Sequence, residues 1–318
     1  MFNSPLYAPD YIPQFSGHET FPMRYGWLKK AYDAVASAQD KGLDYSIFND
    51  EAAIARFGVG KNMVAAIRHW AIQCGVIKPG AKGAPAATDS LGDTVFSGNG
   101  FDPYMEHPAT LWLLHWELAA NKKLTTWYWV FSHYPNNSFE REDIVKLLIS
   151  LSIERGWSKV SQTTIKRDVE CFVRTYSAKQ ELQGQAKEDS LESPLTELGL
   201  IKPTGRKDGF RLVKSAKPTL GDGIFCYALV QFWKSFLDSR STISFEAIAH
   251  YPGSPGRVFL LSEDDLADRL IRIESLTKGA LSWSETAGLK QVVRKKDLLN
   301  INISELIKSD YLESFQGA

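Results

Sequence analysis

The sequence predicts a mainly α protein with small β wings, an α+β chain of repeated winged helix-turn-helix modules around an aromatic-rich core. The first observation behind this is a recurring pattern. A short helix, a tight turn and a helix with one polar face lead into a Gly-punctuated β segment. Residues 49–96 carry the pattern around the turn Gly58-Val59-Gly60-Lys61-Asn62. Residues 138–213 carry it around Lys159-Val160-Ser161-Gln162-Thr163-Thr164, and a weaker third copy spans 244–296. The second observation is aromatic: the chain has 9 Trp, four of them clustered within 111–134. Modules of this kind lay their second helix in a DNA major groove, so nucleic acid is the leading partner.

The elements follow in order. Residues 1–17 read as an extended, Pro-rich arm, and 20–38 as a helix opened by Pro22. Asn49 is the expected cap of the first module, with Asp50 and Glu51 in its first turn. Met63, Val64, Ile67, Trp70, Ala71 and Cys74 form one apolar stripe, closed by Gly75. Residues 78–83 read as a turn or small wing. Pro108 opens a buried helix over 107–121. Ser138 is the expected cap of the second module, with Ile144, Leu147, Leu148 and Leu151 inward. Ser161 caps the next helix, where Ile165, Val169, Phe172 and Tyr176 point inward. Residues 178–189 read as a solvated loop, and 195–201 with 209–213 as paired strands. The run 88–92 echoes 196–199. Helices are expected at 224–237, at 245–251 and from Ser262 to Leu276, then a hairpin of 281–283 with 289–293. Three domains follow: 1–105, 106–215 and 216–318.

Lys plus Arg is 37 and Asp plus Glu is 37. That balance excludes a purely electrostatic, histone-like binder and leaves room for local basic faces. Cys74, Cys171 and Cys226 form no C-x-x-C pair and are expected as buried free thiols of a cytoplasmic protein. No stretch has the signature of a secretory signal or the length of a membrane span.

The first candidate recognition helix is expected to expose Lys61, Asn62, Arg68, His69 and Gln73. Basic and amide side chains of these types read base edges or hold phosphates. The second exposes Thr163, Lys166, Arg167, Glu170 and Arg174, with Thr163 and Thr164 at a helix start that suits phosphate. Arg141, Lys146, Arg155, Lys159 and Lys179 add charge around it, and Asp168 and Glu170 subtract some. Arg294-Lys295-Lys296 is a further short basic run. The competing reading of each is an ordinary solvated face. His18, Glu19 and Arg24 sit close together before a helix and suit acid–base or phosphate chemistry; their competing reading is a cap and packing anchor. His107 and His115 are about 12 Å apart by helix rise, too far for one metal. No P-loop, G-x-S-x-G or metal-ligand spacing occurs, so the motifs give binding rather than catalysis.

Several longer runs carry a resemblance. They are 15–30, 58–63, 107–116, 125–129, 164–169, 188–191 and 252–259. Together they resemble a bacterial family catalogued only as a domain of unknown function, across roughly 14–295. His107 departs from it, standing where an acidic residue is expected. The resemblance implies a place in DNA phosphorothioation and phage-defence gene clusters. It also implies a sulfur-transfer partner similar to phosphoadenosine phosphosulfate reductases, and likeness to a DNA-nicking component of such a system.

The expected function is to bind double-stranded DNA and present or nick it for sulfur incorporation. No tightly bound cofactor is expected. If the chain nicks, Mg²⁺ is the expected ion, with Glu19 holding it, His18 as base and Arg24 stabilising charge. The alternatives are a non-enzymatic winged-helix adaptor and a transcriptional regulator.

Overall fold

A computed structural model describes residues 4–43, 47–49, 51–80, 86–157, 160–177, 193–205, 208–237, 239–286 and 288–313. The chain is an α+β protein in which small antiparallel sheets punctuate many helices. Its first unit holds α1 (Trp27–Asp40), α2 (Ala53–Phe57) and α3 (Lys61–Gln73). The hairpin β1 (Ile77–Lys78) with β2 (Ala87–Thr88) and then α4 (Ser90–Phe96) complete it.

Two expectations shift here. Helix α1 begins at Trp27 rather than at residue 20. Pro22 disfavours helical backbone at Phe21, and Gly26, the residue before the helix, is left-handed at φ 76°. Asn49 does not cap α2, which starts after Ala52 without a side-chain cap. Asp50 and residues 81–83 of the expected wing lie outside the described residues.

Two aromatic helices, α5 (Pro108–Ala119) and α6 (Thr125–His133), form the centre. Trp112, Trp116, Trp127 and Trp129 are buried there, as their spacing predicts. His115 is fully buried and neutral, its pKa pushed down to about 3 by burial. Its Nε2–H donates to the Val258 carbonyl at 2.8 Å, so Nδ1 accepts from the Tyr176 hydroxyl at 2.9 Å. At the start of α5 His107 fills the unusual position as a cap, its Nδ1 accepting the Ala109 N–H at 3.1 Å.

The second unit runs β3 (Ser138–Glu140), α7 (Arg141–Glu154), α8 (Gln162–Tyr176), β4 (Ile201–Pro203) and β5 (Gly209–Leu212). The strand order is β3-β5-β4, all antiparallel. Ser138 lies in the strand; the cap of α7 is Glu140, in a reciprocal box with Asp143. Leu147 is exposed, and Val145 takes its place in the apolar stripe. Ser161 caps α8 as predicted, accepting the Thr164 N–H. Pro194–Leu198 is a 3-10 turn and not a strand, because Pro194 opens it and Gly199 closes it in left-handed backbone. The echo between 88–92 and 196–199 is therefore not structural: Asp89 caps α4 while Thr196 sits in that turn.

The long α9 (Asp222–Leu237) leads to the third unit. That unit contains β6 (Thr242–Ser244), α10 (Phe245–His250), α11 (Pro255–Val258), α12 (Glu263–Ile271), α13 (Ile273–Leu276), β7 (Leu281–Thr286) and β8 (Leu289–Arg294). Its strand order, β6-β8-β7, repeats that of the second unit. Helix α14 (Ile303–Glu313) then packs back on α9, with Asp310 accepting the Gly223 and Ile224 N–H groups. Cys74, Cys171 and Cys226 are free and buried. No described helix is long and apolar enough to cross a membrane.

Candidate nucleic-acid interface

The turn over residues 17–21 joins the helices that carry the predicted binding residues. His18 is 3% exposed. Its Nδ1 accepts the Thr20 N–H at 3.0 Å. The hydrogen therefore sits on Nε2, which donates to Asp168 Oδ1 of α8 at 2.8 Å. The other carboxylate oxygen of Asp168 accepts the Thr126 hydroxyl of α6. On its other side the His18 ring stacks on Trp70 of α3, with centroids 6.1 Å apart. Trp70 Nε1 donates to the Phe21 carbonyl at 2.9 Å, and Arg174 Nη1 donates to the Thr20 carbonyl at 3.4 Å. One turn thus fixes α3 and α8 relative to each other.

The backbone of this turn is forced. Gly17 has φ 112°, and a Cβ there would lie 2.5 Å from His69 Nδ1, so no side chain fits. Glu19 and Thr20 are left-handed at φ 48° and 67°, which costs non-glycine residues about 1–2 kcal/mol each. The bonds of His18, Phe21 and Arg174 hold them there.

The predicted acid–base trio is not assembled. His18 has no free nitrogen. Glu19 is exposed, and among the described residues it makes no ion pair. The Arg24 guanidinium stacks 5.6 Å from the Trp27 ring and 5.9 Å from Phe21 instead. Among the described residues no group of three or more His, Cys, Asp or Glu is placed to hold a metal ion.

The predicted binding residues divide more evenly. On α3, Lys61 and Asn62 are exposed and Arg68 is half-buried on the same face. His69 is buried instead of exposed, and burial, with His18 and Arg68 adding, pushes its pKa down to about 3. Gln73 accepts from Asn121 at 2.9 Å, which ties it to the protein. On α8, Thr163, Lys166, Arg167 and Glu170 are exposed. Thr164 is not available to phosphate through its N–H, since Ser161 takes it at 3.1 Å.

The surrounding charge is thinner than the sequence count suggests. Arg141 pairs with Asp208 at 2.7 Å, and Arg155 pairs with Glu154. Lys295 pairs with Glu274 at 3.0 Å. Lys159 and Lys179 lie outside the described residues.

Asp168 is the residue the sequence reading misjudged. Counted there against the basic face, it turns inward and is 2% exposed. The signal was present: Asp168 falls on the stripe of Ile165, Val169 and Phe172, where a carboxylate requires buried donors.

A helical α+β chain whose strand–helices–hairpin unit recurs, with two cation-bearing helices fixed to one turn, defines the class. The chain belongs to the family described as a protein of unknown function, DUF4007, whose model matches residues 15–311. It is also similar to two solved structures. One is an SspB crystal structure, with 26% identity and TM-score 0.82, covering 99% of this chain and 92% of that one. The other is a magnesium ion-bound SspB crystal structure, with the same identity and TM-score, covering 96% and 90%. Both cover nearly the whole chain, as does the family match, in agreement with the extent of the resemblance carried by the motifs. No curated protein matches the chain.

Proposed function

We propose that this chain is the DNA-binding component of a bacterial DNA phosphorothioation or phage-defence system. It holds the duplex so that a sulfur-transfer protein, similar to phosphoadenosine phosphosulfate reductases, reaches the backbone. The observation that carries the reading is the His18 turn. It locks α3 to α8 and draws Asp168 inward, leaving Lys61, Arg68, Lys166 and Arg167 without an acidic partner among the described residues. Unpaired cations on two fixed helices suit phosphates along a duplex. The β3-β5-β4 sheet around α7 and α8 supports a winged-helix reading in which α8 faces the groove, and α3, between α2 and the β1–β2 hairpin, is the matching helix of the first unit.

Nicking belongs to this reading only through likeness to SspB. No metal-dependent step is assigned to His18, Glu19 or Arg24, since both ring nitrogens of His18 are engaged within the protein. Fluorescence anisotropy with a labelled duplex tests the binding claim. Affinity should fall steeply with salt. A chain that binds no duplex even at low salt overturns it. Conversion of supercoiled plasmid to open circle, with and without Mg²⁺, tests cleavage separately.

A further inference from the structure

We propose that copies of this chain associate head to tail, with the α8 face of one copy seated on the α12 face of the next. The proposal shares the α8 face with the reading above but does not require DNA as its ligand. Helices α8 and α12 follow the first helices of two units with the same strand order and precede their hairpins. Their outward charges are opposite.

On α8 the acid is drawn inward, where Asp168 meets His18. Lys166 and Arg167 are left outward, followed one turn later by Glu170. On α12 the base is drawn inward. Arg269 is 4% exposed and binds Asp222 at 2.9 Å, Asp265 at 3.2 Å and the Leu220 and Lys217 carbonyls. Asp264 and Asp268 are left outward, while Arg272, one turn after Asp268, is held by Asp222 at 2.6 Å. Among the described residues, Lys166, Arg167, Asp264 and Asp268 make no hydrogen bond or ion pair.

The two stripes are therefore complementary in sign. Brought together, the Lys166 and Arg167 cations of one copy meet the Asp264 and Asp268 carboxylates of the next. Ile271 shares the stripe of Asp264 and Asp268 and is 60% exposed, giving the contact an apolar element. A chain with 37 basic and 37 acidic residues approaches its own copies without net repulsion. Exposed ion pairs are individually weak and screened by salt, so the association is weak and salt-sensitive, with its register set by charge. The two surfaces differ, so the contact is heterologous and leaves one α8 and one α12 face free at the ends.

Sedimentation velocity on the full chain, across a concentration series in low and high salt, tests this. Low salt should show a faster species that grows with concentration and disappears in high salt. Asp264→Lys with Asp268→Lys should abolish it, and so should Lys166→Glu with Arg167→Glu. Mixing those two variants should restore it, because each supplies the face the other needs. Glu142→Lys with Glu246→Lys makes the same change in net charge elsewhere and should sediment like the wild type. A monomer at every concentration in low salt overturns the proposal. So do charge-reversal variants that behave like wild type, or a Glu142/Glu246 control that loses the species equally. Failure to bind duplex DNA leaves the faster species in place, so the two readings fail separately.

Discussion

His18 and Asp168, separated by 150 positions in sequence, meet through a 2.8 Å hydrogen bond between nearly inaccessible side chains. That bond fixes the turn carrying Glu19 and Thr20 to α8, while Trp70 fixes the same turn to α3. Removing either partner leaves a buried polar group short of a bond. His18→Ala and Asp168→Asn should each destabilise the chain by about 2–3 kcal/mol. The double variant should cost clearly less than their sum, with a coupling of about 1 kcal/mol or more. Denaturant unfolding of all four proteins measures this, and strictly additive losses would show that the bond contributes little.

The aromatic centre supports stability rather than base stacking. Trp116 is 2% exposed, against Phe259 with centroids 5.4 Å apart. Trp116→Ala should destabilise by about 3–5 kcal/mol. A variant that keeps its thermal stability and loses only duplex affinity would contradict this placement.

Glu117 makes stability depend on pH. Its carboxylate accepts the Tyr227 hydroxyl at 2.6 Å, and burial pushes its pKa from 4.5 up to about 7. Between those values the folded chain holds a proton that the unfolded chain has lost. Its contribution to stability is therefore present below about pH 4.5 and is lost as pH rises to about 7. The shift corresponds to about 3 kcal/mol at most. His69 and His115 act the other way. Their pKa values, pushed down to about 3, remove stability as pH falls below 6.5. Glu117→Gln should therefore gain stability relative to wild type between about pH 5 and 7. Unfolding curves across that range check it, and a constant difference would place the titration elsewhere.

What the sequence revealed was local. Ser161 and Ser262 cap their helices as their positions predict. The stripe of Met63 to Cys74 and the buried Trp residues follow from spacing, and the long motifs identify the family. What it concealed depends on contacts distant along the chain. His69 has the spacing of an exposed residue, yet Gly17 and His18 cover it. The acid–base appearance of 18–24 arises from sequence proximity, whereas a left-handed turn sends His18 inward and leaves Glu19 outside. The residues of 195–198 have strand-like composition, but flanking Pro194 and Gly199 curl them into a 3-10 turn.

The central claim is that α3 and α8, fixed to one turn, bind a duplex through their free cations. The most direct test is the slope of log affinity against log salt for a duplex, measured by anisotropy. Lys61→Ala with Arg68→Ala removes the α3 pair, and Lys166→Ala with Arg167→Ala removes the α8 pair. Each pair should weaken binding and flatten the slope by about 2 if each cation neutralises one phosphate. Affinity and slope that match wild type in either pair would contradict a shared face.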